Sequence, residues 1–346
     1  MSQIKVDELN YRLLRSLVYG RGVSANIHCL SKTLKKHRNT VQKRVEEIFK
    51  NNVLNPPIFP FIGLHKEYPL LILKWVNLPY DEEAEKWIRE DPHIFAAFRS
   101  RYSEYNTLLI LYHKDITSYQ LWREKIVADR KITLVNGSFP KSSTSLFSNQ
   151  LMIKYDPNAP VYLLKKELRE NGYVPLNGYK LDKLGFQIVK LLTKGQCIKI
   201  NENKLSKELG VHRKTIIKRI QDLTKEGWIS YPTCRFPNFF TPPKYILSIC
   251  KLEIRSSKQE FIQNIRNDPQ ITLAFDIKEK EFNILLFGAF RNLEEELRWE
   301  VKYGLYLSNR IGKVDIQYFA PGNVVNIGER KVSLGIIDKK YMYFRT

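Results

Sequence analysis

The chain has 346 residues, a net charge of +21 and a hydrophobic fraction of 43%. This length is too great for one ordinary core and suits two to four domains, while the hydrophobic content excludes a disordered chain. Average Gly and Pro exclude collagen-like and low-complexity architectures, and so large a positive excess points to a polyanionic partner.

Taken in chain order, the first signal is helical. Val6, Leu9, Leu13, Leu14 and Leu17 recur with the 3.6-residue period of an amphipathic helix. A helix around LSKTLKK, a tight turn and a helix from about His37 to Asn51 follow, with Val41, Val45 and Ile48 on one face. Short helix, short turn and basic helix predict a helix-turn-helix. The proline-bearing VLNPPIFPF then predicts an irregular wing, so that 1–61 reads as a first winged helix-turn-helix domain. Over 66–147 strands are predicted near 68–78, 94–103 and 106–113 and helices at 81–90 and 117–128, with an indistinct fourth strand. Residues 148–180 read as a linker with one short helix at LLKKELREN. A second winged helix-turn-helix is predicted over 181–241, with GWISYPTCRFPNFFTPP as its wing. Over 243–322 strands at 244–254, 271–278, 282–290 and 312–320 and helices at 257–268 and 292–307 give the order βαββαβ, a ferredoxin-like sandwich. Residues 323–346 read as a tail or an extra strand pair. The fold class expected is therefore α+β, two winged helix-turn-helix domains alternating with two ferredoxin-like domains.

This alternation is an internal duplication. Residues 6–49 and 181–224 align at an offset of 175 with 14 of 44 positions identical, most densely in LSKTLKKHRNTVQKRV against LSKELGVHRKTIIKRI. At an offset of 177, Ile88-Arg89-Glu90-Asp91-Pro92 answers Ile265-Arg266-Asn267-Asp268-Pro269, and Trp122 answers Trp299.

Charge falls where a nucleic acid would need it. Residues 1–61 hold 11 Lys and Arg against 4 Asp and Glu, and residues 177–237 hold 13 against 5. On the first basic helix the outward face carries Asn39, Gln42 and Lys43, flanked by Arg38, Thr40 and Arg44, with Lys36 just before it. On the second it carries Lys214, Ile217 and Lys218, flanked by Arg213, Thr215 and Arg219. Outward residues of such a helix meet base edges and flanking ones meet phosphates. Asn39 and Gln42 suit adenine, Lys43 and Lys218 suit guanine, and Ile217 suits either a thymine methyl or packing on the wing. His37 and His212 stand at the helix starts, as phosphate contacts or as structural caps. The partner expected is double-stranded DNA.

Other chemistry has little support. Cys29, Cys197, Cys234 and Cys250 stand singly, which predicts four reduced thiols, no disulfide framework and no metal site. Trp122 and Trp299 are expected in the core. His113 has Phe290 as its counterpart and no paired histidine in the sequence, which weakens a catalytic reading. No nucleotide-binding or nucleophile motif is present. The chain is therefore expected not to be an enzyme and to need no cofactor. With no apolar run of about 18 residues and no apolar segment in MSQIKVDELN, it is expected to be cytoplasmic, without a membrane partner.

The unit resembles the Lrp/AsnC family of transcription regulators. LDKLGFQIVKLL resembles that family's opening helix, LSKELGVHRKTIIKRIQDLTKEGWI its helix-turn-helix, and EFNILLFGAFRNLEEELRWEV the middle of its βαββαβ domain. The resemblance implies a DNA-binding transcriptional regulator, a small-molecule effector bound by the sandwich domains at residues the sequence does not identify, and pairing of those domains. Two units in one chain imply an internal pseudo-dimer, with a homodimer as the further association. The sequence departs from the family pattern where the capping Ser becomes His37 and His212, and where Gly210-Val211 is answered by Lys35-Lys36. Two alternatives stand beside this reading: an architectural chromatin protein of low sequence specificity, and an enzyme resembling siroheme decarboxylases, which share the domain order and take a tetrapyrrole.

Overall fold

The structure is a computed structural model that describes residues 7–60, 68–100, 105–128, 142–148, 151–156, 159–279, 281–305 and 309–343. It is α+β, with helices and antiparallel sheets. The chain divides into two compact units that cut across the linear order. Unit 1 gathers Met1–Glu67, Leu164–Pro237 and Glu329–Thr346, and unit 2 gathers Tyr68–Leu163 and Asn238–Gly328. Each unit thus takes one part from each repeat.

Unit 1 holds the two helical segments. In the first copy α1 (Glu8–Val18), strand β1 (Val23–Ala25), α2 (Ile27–Leu34) and α3 (Arg38–Lys50) succeed one another. In the second, α7 (Lys183–Thr193), β9 (Ile198–Ile200), α8 (Glu202–Leu209) and α9 (Arg213–Lys225) do the same. The helix starts recur at matched residues because the caps recur. Asp7 and Asp182 accept from the third backbone N–H on, as do Asn26 and Asn201, while His37 and His212 accept from the second. The turn between the last two helices needs a left-handed residue, supplied by Gly210 at φ 69° in one copy and by Lys35 at φ 52° in the other.

The copies clasp each other reciprocally. β1 pairs antiparallel with β9, Ser24 opposite Lys199. Asn26 N–H donates to Cys197 O, and Asn201 N–H donates to Gly22 O. In the segments expected to form wings, the described residues bond across the copies. Ile58 and Thr233 form an antiparallel bridge, Asn55 N–H donates to Arg235 O, and Ser230 N–H donates to Pro60 O. At an offset of 175 the pairs Ser24–Lys199 and Ile58–Thr233 are their own images and the other bonds are images of one another, Asn26–Cys197 of Asn201–Gly22 and Asn55–Arg235 of Ser230–Pro60, so the two copies are related by a local pseudo-two-fold. Prolines at 56, 57 and 60 bring no backbone N–H, and among the described residues Asn55 N–H, Ile58 N–H, Ile58 O and Pro60 O bond across the copies. The C-terminal residues also depart from expectation. Instead of a strand pair they give strand β14 (Val324–Ile327) and a helix, α12 (Glu329–Tyr343), on α1, where Tyr11 stacks on Tyr341 at 4.1 Å.

Unit 2 holds two five-stranded antiparallel sheets. The first copy supplies β2 (Leu70–Val76), α4 (Glu82–Glu90), β3 (Ile94–Arg99), β4 (Thr107–His113), α5 (Ile116–Ala128) and β5 (Ser142–Ser148). The second supplies β10 (Ile246–Ile254), α10 (Lys258–Asn267), β11 (Ile271–Asp276), β12 (Ile284–Phe290), α11 (Leu293–Tyr303) and β13 (Ile311–Phe319). The sheet orders are β5-β2-β4-β3-β14 and β13-β10-β12-β11-β6, where β6 is Met152–Tyr155. Both run fourth, first, third, second, and then a strand from the other half of the chain. The segment read as a linker gives its strand β6 to the second sheet and continues through a helix, α6 (Val161–Asn171), and the paired strands β7 (Val174–Leu176) and β8 (Tyr179–Leu181), and the C-terminal segment gives β14 to the first sheet. Helices cover one face of each sheet, over cores that include Ile72, Trp87, Leu109 and Trp122 in one and Leu252, Ile265, Leu286 and Trp299 in the other. The opposite faces meet through aromatic rings, Phe98 of one sheet on Phe319 of the other at 5.2 Å, with Phe239 from the loop before β10 against both Phe98 at 5.8 Å and Phe287 at 5.1 Å.

Candidate nucleic-acid interface

The candidate surface consists of α3 and α9 with the residues just before them. Val41, Val45 and Ile48 on α3 and Ile216, Ile220 and Leu223 on α9 are buried, which turns the opposite faces outward. Lys36, His37, Arg38, Asn39, Thr40, Gln42 and Lys43 are exposed in the first copy, as are His212, Arg213, Lys214 and Lys218 in the second. Thr215 is half-buried. The two histidines act as helix caps: His37 Nδ1 accepts from Asn39 N–H at 3.3 Å and His212 Nδ1 from Lys214 N–H at 3.2 Å. Gln42 donates its amide to Glu46 at 3.0 Å, and Arg213 pairs with Glu202 at 3.5 Å.

Arg44 and Arg219, expected beside phosphates, are engaged within the protein. Arg44 reaches Asp182 at 2.7 Å, and Arg219 reaches Asp7 at 2.8 Å. Each aspartate caps the first helix of one copy and ion-pairs with the basic helix of the other. The signal was in the sequence, because Asp7 and Arg44 both recur at the repeat offset, but a repeat alone does not say that its members touch across copies. Ile217 is half-buried and lines a groove of about 560 Å3 with Phe59, Ile200, Ile220, Thr224 and Tyr231. Gln42 stands at its position in the first copy, so the two outward faces differ most here.

Two expectations about cysteine and histidine fail. Cys29 and Cys197 form a disulfide with Cα atoms 5.3 Å apart, so the thiols are not all free; only Cys234 and Cys250 are, both buried. Single spacing along the chain says nothing about partners 168 residues apart. His113, the residue without a paired histidine in the sequence, stacks on His93 at 4.3 Å, nearly parallel. His93 Nδ1 lies 3.0 Å from Tyr112 O. The His113 ring lies edge-on to Trp122 at 5.3 Å, as Phe290 does to Trp299 at 5.8 Å. The repeated tryptophans are core residues whose indole N–H donates to the repeated aspartate, Trp122 to Asp91 at 2.9 Å and Trp299 to Asp268 at 3.2 Å. That bond explains the recurring Asp-Pro: the carboxylate ties the end of one flanking helix to the other. Among the described residues no group of three or more His, Cys, Asp or Glu is placed to hold a metal ion, and no helix is long and apolar enough to cross a membrane.

No family model matches the chain, and no curated protein matches it in sequence. Solved structures do. A siroheme decarboxylase, NirDL, is 8% identical with a TM-score of 0.51 over 98% of this chain and all of its own. The same enzyme in complex with an iron-uroporphyrin III analogue matches at 9% and 0.51 over the same shares. AsnC of E. coli matches at 14% identity over 34% of this chain and 78% of its own, with a TM-score of 0.27. The neighbours therefore include AsnC-type regulators over a third of the chain and NirDL over nearly all of it. The expectation that the chain is not an enzyme is overturned: an enzyme has this fold across both repeats, so the architecture gives no ground for excluding catalysis.

Proposed function

We propose that this chain binds double-stranded DNA as a sequence-specific transcriptional regulator, with α3 and α9 as two non-identical reading helices. The observation that carries the reading is the reciprocal clasp of unit 1. It relates two exposed basic helices by a local two-fold, the relation that places one helix in each of two half-sites on a duplex. The proposal takes residues 1–61 and 181–241 as helix-turn-helix domains whose wing segments pair with each other. It takes 66–147 and 243–322 as ferredoxin-like domains, each completed by a strand from the other half, so that the chain is an internal pseudo-dimer. Lys43 and Lys218 read bases, with Asn39 and Gln42 in one head and Ile217 in the other. Lys36, His37, Arg38, Thr40, His212, Arg213, Lys214 and Thr215 meet the backbone. Arg44 and Arg219 hold the helices in place. A small-molecule effector would act through unit 2.

Selection of bound sequences from a random duplex pool at low and moderate salt tests this. The expected outcome is an asymmetric motif of two parts about one helical turn apart, its affinity falling steeply with salt. An unenriched pool sinks sequence-specific regulation, and binding that then vanishes with salt describes an architectural protein.

The fold shared with NirDL and the stacked His93 and His113 favour a second reading, an enzyme acting on an iron tetrapyrrole. Titration with an iron-uroporphyrin analogue, followed by visible absorption, decides it. A saturable spectral change supports that reading, and its absence rejects it.

A further inference from the structure

We propose that Cys29 and Cys197 form a redox-controlled staple between the two copies of unit 1. Cys29 lies in α2 of the first copy, and Cys197 lies just before β9 of the second. Both residues are half-exposed, within reach of a small reductant, whereas Cys234 and Cys250 are buried and burial pushes their thiols up, away from the reactive thiolate.

The bond breaks the local two-fold. Its image positions are Gly22 and Lys204, where no bond can form. The backbone there shows what the cysteine costs. Gly22 has φ 73°, and Cys197, its image, has φ 55°. This left-handed conformation suits glycine and strains a residue with a side chain. A side chain at Gly22 would also meet Leu205 Cγ at 2.8 Å. One copy thus keeps the residue that the backbone prefers. The other holds a strained cysteine, and the bond to Cys29 is what its side chain gains there.

A dithiol reductant supplies the chemistry. One of its thiolates attacks a sulfur of the pair, the S–S bond breaks and a mixed disulfide forms. Its second thiolate then closes on the first and releases the protein sulfur. Two electrons and two protons pass to Cys29 and Cys197, and the reductant leaves as a cyclic disulfide. The reduced clasp keeps the β1–β9 ladder, the Ile58–Thr233 bridge and the two Arg–Asp pairs. On the DNA reading, the oxidised chain would demand one half-site spacing and the reduced chain would tolerate several; the staple itself does not depend on that reading.

The test is thiol labelling of the folded protein with mass spectrometry, joined to thermal melting. After equilibration with oxidised glutathione the Cys29 and Cys197 peptides should be linked. Dithiothreitol under native conditions should free both and lower the melting temperature by roughly 5 °C or more. Cys197→Gly and Cys29→Ser should both melt independently of dithiothreitol, Cys29→Ser lower of the two, because it keeps the strained backbone without the bond. Four free thiols in the oxidised sample overturn the proposal. So does a bond that dithiothreitol opens only with denaturant, or equal melting of the oxidised and reduced protein. Equal melting of the two variants removes the strain argument. If Cys197→Gly does not fold, Cys29→Ser with wild type still decides the rest.

Discussion

The two sheets of unit 2 share a strand order, a pair of covering helices and a tryptophan–aspartate bond, yet they differ in the ionisable groups buried beneath the second covering helix. Lys74, opposite Leu109 in the first sheet, corresponds to Cys250, opposite Leu286 in the second. Above Lys74 stand Tyr119 and Arg123, and at the matched places stand Glu296 and Glu300. Lys74 donates to the Tyr119 hydroxyl at 3.0 Å, and burial, then the Arg123 charge, lowers its pKa to about 8. Tyr318 Oη lies 3.2 Å from both Glu296 and Glu300. The two carboxyl groups, both buried, thus meet at one hydroxyl. Burial, then Glu300, pushes Glu296 up to about 8. The two sheets therefore share what packs and differ in the ionisable group beneath the second helix, which a tyrosine hydroxyl meets in each, Tyr119 in one and Tyr318 in the other. In unit 1 the opposite holds, since the Asp–Arg pairs kept their sign in both copies.

The largest effect should separate the two aspartates. Asp268 accepts from Gln270 N–H, Trp299, Lys302 and Tyr303, whereas Asp91 accepts from His93 N–H and Trp122. Asp268→Ala should cost about 3 kcal/mol in urea unfolding and Asp91→Ala about 2; equal costs would mean that the second copy's extra donors contribute nothing. Next comes Glu296→Gln. A raised carboxyl pKa gives stability that is complete below the ordinary value of 4.5 and is lost as pH rises through about 8. Wild type should thus lose stability between those limits by a few kcal/mol at most, and the variant should be flatter across the same window and more stable above it. A parallel pair of unfolding profiles would show that Glu296 is not the titrating group. On the DNA reading, Lys43→Ala and Lys218→Ala should each relax a different half of the selected motif by about 1–3 kcal/mol at one base. Relaxation of the same half by both would show that the copies do not read separately. Lys35→Gly, which restores in the first copy the residue found at Gly210, should raise stability by up to about 1 kcal/mol. Smallest is the double-mutant cycle of Arg44 and Asp182, about 0.2–1 kcal/mol for a half-exposed pair, with the Arg219–Asp7 cycle expected to agree.

The local content of this chain was largely legible in its residues. Helix periodicity placed α1, α3, α7 and α9, and Asp, Asn and His at matched places marked where helices begin. Strand patterning placed seven of the strands of the two sheets, with boundaries only roughly right, and β5 was indistinct because SSTSLFS carries few of the residues that announce a strand. What could not be read was every relation between the copies. The Asp–Arg pairs, the crossing of 55–60 with 230–235, the Cys29–Cys197 bond and the traded edge strands all join residues far apart in the chain. No short window of sequence registers them. The basic face of α3 was readable by wheel, but that Arg44 belongs to the clasp and not to the outward face needed the other copy.

The traded strands have a consequence for how the protein is made. The first sheet takes its edge from Val324–Ile327, which emerges from the ribosome more than 200 residues after β4. Until then Ile94–Arg99 is an unpaired edge of apolar residues in a half-finished sheet, the kind of surface that recruits strands from other nascent chains. Slowed synthesis or truncation near the C-terminus should therefore harm the oldest part of the chain first, and a free peptide carrying the last two dozen residues should rescue it.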